Sequence, residues 1–152
     1  MKPRNSSITV WKTLVVAVAL LALLGTAAGV QAASQPNQIT VHSQDLNSGV
    51  IMVDSVTSPV DGWIVVYKDP NNLTPGQLVG YAPVHQGANS NVKVTIDTAK
   101  AGNLPTLWAV LQADGGTPGV FEWGLRGQPL SDAPVVENGH HIMTGFGTAA
   151  AQ

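Results

Sequence analysis

The chain contains no cysteine, so neither a disulfide nor a thiolate ligand is open to it. A blue-copper centre, which requires a cysteine, is excluded on that count alone. Charge is scarce as well: Asp, Glu, Lys and Arg make up 11% of the 152 residues, and aromatic residues make up 5%. Three of the seven basic residues, Lys2, Arg4 and Lys12, sit at the N-terminus, and the others, Lys68, Lys93, Lys100 and Arg126, are scattered. Residues 33–152 set those four bases against nine acids, a formal charge of −5. Nucleic acid and anionic lipid both require clustered bases, so neither is expected as a partner. Helical windows with caps and adequate length are lacking too, apart from a single turn at Thr98–Gly102.

What is present first is a leader. The N-terminal bases precede the apolar run Leu14–Leu24, and Val30-Gln31-Ala32 places small side chains where a signal peptidase reads them. Residues 1–32 are therefore read as a secretory signal cleaved after Ala32. The rival reading is an uncleaved anchor, but about 12 apolar residues fall short of the ~20 that span a bilayer core. No cysteine follows the run, so a lipid-anchored form is not expected. Residues 33–38 are polar and read as a disordered lead-in, 39–147 as the folded domain, and 148–152 as a short tail. A domain of this size can stabilise itself by burial without disulfides. No membrane span is expected after cleavage.

Across 39–147, short apolar segments alternate with turn clusters rich in Gly and Pro. Strands are predicted at Ile39–Ser43, Val50–Val56, Trp63–Lys68, Leu78–Val84, Val92–Asp97, Thr106–Gln112, Gly119–Trp123 and His141–Phe146. Trp63–Lys68 is almost continuously apolar, as a central strand covered on both faces would be. Val92, Val94 and Ile96 alternate with Lys93, Thr95 and Asp97, the period of a half-buried strand. Gly87–Asn91 reads as a turn. Seven to eight strands at this spacing predict an antiparallel, immunoglobulin-like β-sandwich, all-β, with no internal repeat or second domain.

The succession Val53-Asp-Ser-Val56, Gly62-Trp-Ile-Val-Val66, Val79-Gly-Tyr-Ala-Pro-Val84, Asn91-Val-Lys-Val94, Leu107-Trp-Ala-Val-Leu111, Asp114-Gly-Gly116, Gly119-Val-Phe-Glu122 and Asp132-Ala-Pro-Val135 resembles a known family. It is similar to the secreted β-sandwich domain of uncharacterised function found in archaeal and bacterial cell-surface proteins, alone or in tandem. The resemblance implies a fold and a location, and no reaction. Members often carry a histidine after the Gly-Trp strand and another before the Asp-Gly turn; here those places hold Tyr67 and Gln112.

Four constellations bear on chemistry. Asp114 and Glu122 could pair as carboxylates or bind Ca²⁺. The blander reading is a glycine turn in which Asp114 accepts a local backbone hydrogen bond and Glu122 faces solvent. His42, Met52, His141 and Met143, with His140, have the composition of an extracytoplasmic copper site. Against it, alternation sets His141 and Met143 on one face and His140 on the other, and an exposed His beside a core Met is commoner. Trp63, Trp108, Trp123, Tyr67 and Tyr81 could form a platform for sugar rings, although Trp63 and Trp108 lie in apolar strands and read as core. Trp123, near Glu122 and Arg126, is the candidate for partial exposure. Ser131, Asp132 and His140 lack the context of a catalytic triad. Asn72-Leu-Thr74 fits a glycosylation acceptor. The expectation is a non-catalytic structural or interaction module of the cell envelope or extracellular space. It needs no cofactor, has no assigned metal, and meets a protein or cell-envelope component through Glu122, Trp123 and Arg126. Copper binding and carbohydrate binding are the alternatives.

Overall fold

The computed structural model describes residues 35–69, 75–103, 105–123 and 131–149. The chain divides into two units, Met1–Ala33 and Ser34–Gln152, and the second holds all the described residues. Residues 1–32, read above as a secretory signal, lie outside them, as do Asn72 and Arg126.

Among the described residues ten strands and one helical turn follow in order: β1 (Gln38–Thr40), β2 (Gln44–Asp45), β3 (Val50–Ser58), β4 (Gly62–Lys68), β5 (Leu78–Val84), β6 (Gly87–Ile96), α1 (Thr98–Ala101), β7 (Thr106–Ala113), β8 (Val136–Glu137), β9 (His140–His141) and β10 (Met143–Ala149). Eight of them form one sheet in the order β1-β3-β6-β5-β4-β7-β10-β2, while β8 and β9 make a separate hairpin. Every pair in the large sheet is antiparallel except β2 with β10, where Thr148 meets Gln44 and Ala149 meets Asp45. The sheet curls on itself: Ile39 of β1 shares one apolar cluster with Ile51 and Val53 of β3, Ile64 of β4, Leu107 and Leu111 of β7 and Phe146 of β10. The result is the expected all-β sandwich.

The inner face follows from side-chain alternation. In β6, Val94 and Ile96 are buried while Lys93 and Thr95 are exposed. The pattern does not stop at Val92, and Gly87–Asn91 is strand rather than turn. Asn91 adopts φ 54°, and a residue in the left-handed region shifts the phase of the pleat. Across from it, β3 changes phase too: Ile51 and Val53 are buried, then Val56 and Ser58. The turn-forming side chains serve the neighbouring corner instead. Asn89 Nδ2 donates to the carbonyls of His85 and Val56, and its Oδ1 accepts from His85 N.

Strand β4 is buried on both faces from Gly62 to Tyr67. Its inner residues, Ile64 and Val66, join the main cluster; its outer residues, Trp63, Val65 and Tyr67, form a second cluster with Val110 of β7. Gly62 is required where β4 passes β7, because a Cβ there would overlap the Gln112 carbonyl. The predicted strand Gly119–Trp123 is absent. That segment is a loop lying over the outer cluster, with Phe121 and Trp123 packed against it. The reason lies in its donors, which reach carboxylates instead of a neighbouring strand: Gly119 N meets Asp114 Oδ2 and Glu122 N meets Asp132 Oδ2, each at 2.6 Å.

Candidate functional site

The outer face of β5, β4 and β7, with the loop laid across it, is where unusual groups gather. Residue by residue, the loop is built by acids. Thr117-Pro118-Gly119-Val120 closes a turn in which Val120 N donates to Thr117 O at 3.0 Å. Proline at the second position and Gly119 at φ 77° fit a type II turn. Glu122 folds back on that turn, its Oε2 accepting from Thr117 N at 2.7 Å and its Oε1 from Thr117 Oγ1 at 3.1 Å. It is half-buried, not turned to solvent. Gly116 leaves room for it, since a Cβ at that position would overlap Glu122 Oε2. Asp132, fully buried, clasps both ends: Oδ1 accepts from Gly115 N at 3.1 Å and Oδ2 from Glu122 N. Asp114 accepts the local backbone bond expected of it, from Gly119, while its buried Oδ1 has no partner among the described residues.

Beneath and beside this loop are aromatic rings. Phe121 stacks on Tyr81 of β5 with centroids 4.2 Å apart, and both meet Trp63 edge to face at 5.5 and 5.7 Å. Tyr81 remains 46% exposed and Val120 48%, so the stack forms an apolar ledge open to water. Trp63 itself is core, and its buried Nε1 has no partner among the described residues. Trp108 is only half-buried; its Nε1 donates to the buried Asp69 Oδ2 at 2.7 Å. Trp123 is half-buried on the far side of the loop from the ledge, against the β4–β7 cluster.

There the face sinks into a groove of about 430 Å³ lined by Tyr67, Val110, Gln112, Trp123, His141 and Met143, among others. Gln112 Nε2 donates to the Tyr67 hydroxyl at 2.8 Å. The two positions at which the resemblance places histidines thus touch each other. Burial pushes the Tyr67 phenol up to about 12, against a smaller lowering by its bond from Gln112.

The copper constellation is split. His42 Nδ1 lies 2.7 Å from Asp54 Oδ2 on the exposed surface, and Met52 is tied by its backbone to the Gln44 carboxamide. β2 pairs in parallel with the end of β10, Gln44 opposite Thr148, whereas Met143 begins that strand and meets Val110 of β7. His141 is exposed in β9, and Met143 is 40% exposed rather than core. Among the described residues no three His, Asp or Glu side chains converge on a metal position. His42 and Met52 are thus engaged with Asp54 and Gln44, while His141 and Met143 line the groove.

Sequence reasoning missed Phe121 as a surface ring and Gln112 as a groove residue. The latter carried a signal, being the one amide in the buried run Thr106–Ala113.

Among the described residues no helix is long and apolar enough to cross a membrane. No curated protein and no solved structure matches the chain. Residues 37–148 match the family described as a domain of unknown function, DUF7282, and the chain belongs to that family.

Proposed function

We propose that the chain is an exported, non-catalytic interaction module of the cell envelope or extracellular space, and that it meets its partner with the outer face of β5, β4 and β7. The observation that carries this reading is the ledge of Tyr81, Phe121 and Val120, apolar surface open to water where the clasped loop packs on strand β5. Aromatic anchors of this kind dominate protein contacts, whereas scattered exposed aliphatics do not. Export is supported by the basic, apolar and small-residue pattern of residues 1–32. The acids a hydrolytic mechanism would enlist, Asp114, Glu122 and Asp132, are each engaged by donors of the loop, which supports a structural role for them. The partner is a protein or other envelope component.

The test combines cell fractionation with a surface variant. The chain is expected outside the cytoplasm, beginning at Ala33, and retained on washed envelopes of the producing cells. Tyr81→Ser with Phe121→Ser, melting within a few degrees of the parent, is expected to lose that retention at least tenfold. A cytoplasmic chain, or a double variant retained as well as the parent, would sink the reading.

A further inference from the structure

The groove on the other side of the loop carries a second recognition feature. Its volume of about 430 Å³ falls at the small end of the ~300–1,000 Å³ typical of ligand sites. Gln112, lining it, is fully buried, yet its Oε1 has no hydrogen-bond partner among the described residues. Buried side-chain amides are almost always paired at both ends, and an orphan beside a groove is an acceptor waiting for a donor. Tyr67, 5% exposed, accepts from Gln112 Nε2 and keeps its own O–H proton. With its pKa pushed up to about 12, the phenol remains a donor throughout the neutral range. One acceptor and one donor side by side are the complement of a hydroxyl group, which donates and accepts through the same oxygen.

The walls narrow the class further. Val110 and Met143 offer apolar surface, and the Trp123 ring offers a flat one. Among the described lining residues there is no Lys, Arg, Asp or Glu, and the one basic side chain is the His141 imidazole, so a charged ligand would meet no permanently charged partner.

We propose that this groove is a subsite for one neutral pyranose ring, with one ring hydroxyl bonded by Gln112 Oε1 and the Tyr67 hydroxyl and the ring's C–H face laid on Trp123. The inference rests on the reading of this face as a binding surface and adds the class of ligand it takes. A free sugar and the terminal unit of an envelope glycan share this chemistry.

The full chain is titrated with methyl β-glucopyranoside, methyl β-galactopyranoside and N-acetylglucosamine, with glucuronate as the charged control, following the Gln112 side-chain amide by NMR and tryptophan fluorescence. At least one neutral sugar is expected to shift the Gln112 amide saturably, and glucuronate to bind at least tenfold more weakly. Gln112→Leu and Tyr67→Phe are each expected to weaken binding about tenfold or more. Should Gln112→Leu not fold, Tyr67→Phe, which keeps the ring, answers the same question. A glycan bearing the favoured sugar is expected to bind more tightly than the methyl glycoside if the natural ligand is polymeric, and no more tightly if it is the free sugar. No saturable shift with any neutral sugar, binding undiminished in both variants, or glucuronate binding equally well would each overturn the proposal. Envelope retention is read separately, with the ledge variant Tyr81→Ser with Phe121→Ser. Loss of envelope retention in that variant, with no sugar bound by the parent, refutes the groove alone.

Discussion

Asp132→Ala tests how the loop is held. The wild-type carboxylate is fully buried and accepts two backbone N–H groups, from Gly115 at 3.1 Å and Glu122 at 2.6 Å. A hydrogen bond to a charged group contributes about 1.5–3 kcal/mol, and an orphaned buried donor costs a similar amount. Losing both bonds should therefore cost about 3–5 kcal/mol if the loop stays docked, a large share of the ~5–15 kcal/mol that stabilises a typical domain. The loop has an alternative: it can lift and let its donors meet water, in which case the penalty is capped by the burial it forfeits at Phe121 and Trp123. Urea unfolding separates the two outcomes. A docked loop gives one transition with a lowered midpoint and unchanged slope. A lifted loop gives a smaller shift, together with red-shifted tryptophan emission and new protease cutting within 115–131 before global unfolding. Asp132→Asn retains one acceptor oxygen and should lose about half as much. A change under ~1 kcal/mol in Asp132→Ala with emission unaltered would refute the claim that this acid clasps the loop.

Gly62→Ala should be among the most damaging single-methyl changes, at least ~2 kcal/mol by urea unfolding, because the new Cβ runs into the Gln112 carbonyl and must part β4 from β7. Trp108→Phe leaves an Asp69 oxygen without its indole donor and should cost about 1.5–3 kcal/mol; a neutral effect would mean the 2.7 Å bond contributes nothing. Tyr67 links stability to alkaline pH. The unfolded phenol ionises near 10.0 and the folded one near 12, so the unfolded state releases its proton first and stability should fall as pH rises from about 10 to 12. Tyr67→Phe should flatten that decline in midpoint-against-pH curves, and an identical decline would overturn the assignment.

Residues that carry a period were readable in the sequence, and those held by distant partners were not. Val92–Ile96 and Trp63–Tyr67 declare their strands because burial imposes alternation on one and continuous apolarity on the other. β2 and β8, of two residues each, are too short to show any period. The β8–β9 hairpin went unread although it carried a signal: Asn138 and Gly139, at φ 52° and 81°, are the Asn-Gly pair that a two-residue turn selects. Val-Phe-Glu-Trp at 120–123 resembles a strand, and only the acids ten residues away or closer in space decide otherwise. Of the candidate site, Trp123 and Glu122 were found through composition. Glu122 proved to be a brace for the Thr117 turn, while the groove depends on Gln112 meeting Tyr67, 45 residues apart, which no local pattern encodes.

The outer loop is fastened by carboxylates at Asp114, Glu122 and Asp132, and not by membership in the sheet. It is in effect a detachable faceplate. The eight-stranded sheet does not depend on it for pairing, so sequence between the clasps can vary in length and chemistry without disturbing register anywhere in the sandwich. A scaffold built this way keeps its architecture constant while the surface it presents is rewritten, and exchanging Val120 and Phe121, with Thr117, Gly119 and Glu122 kept, is the direct way to exploit it.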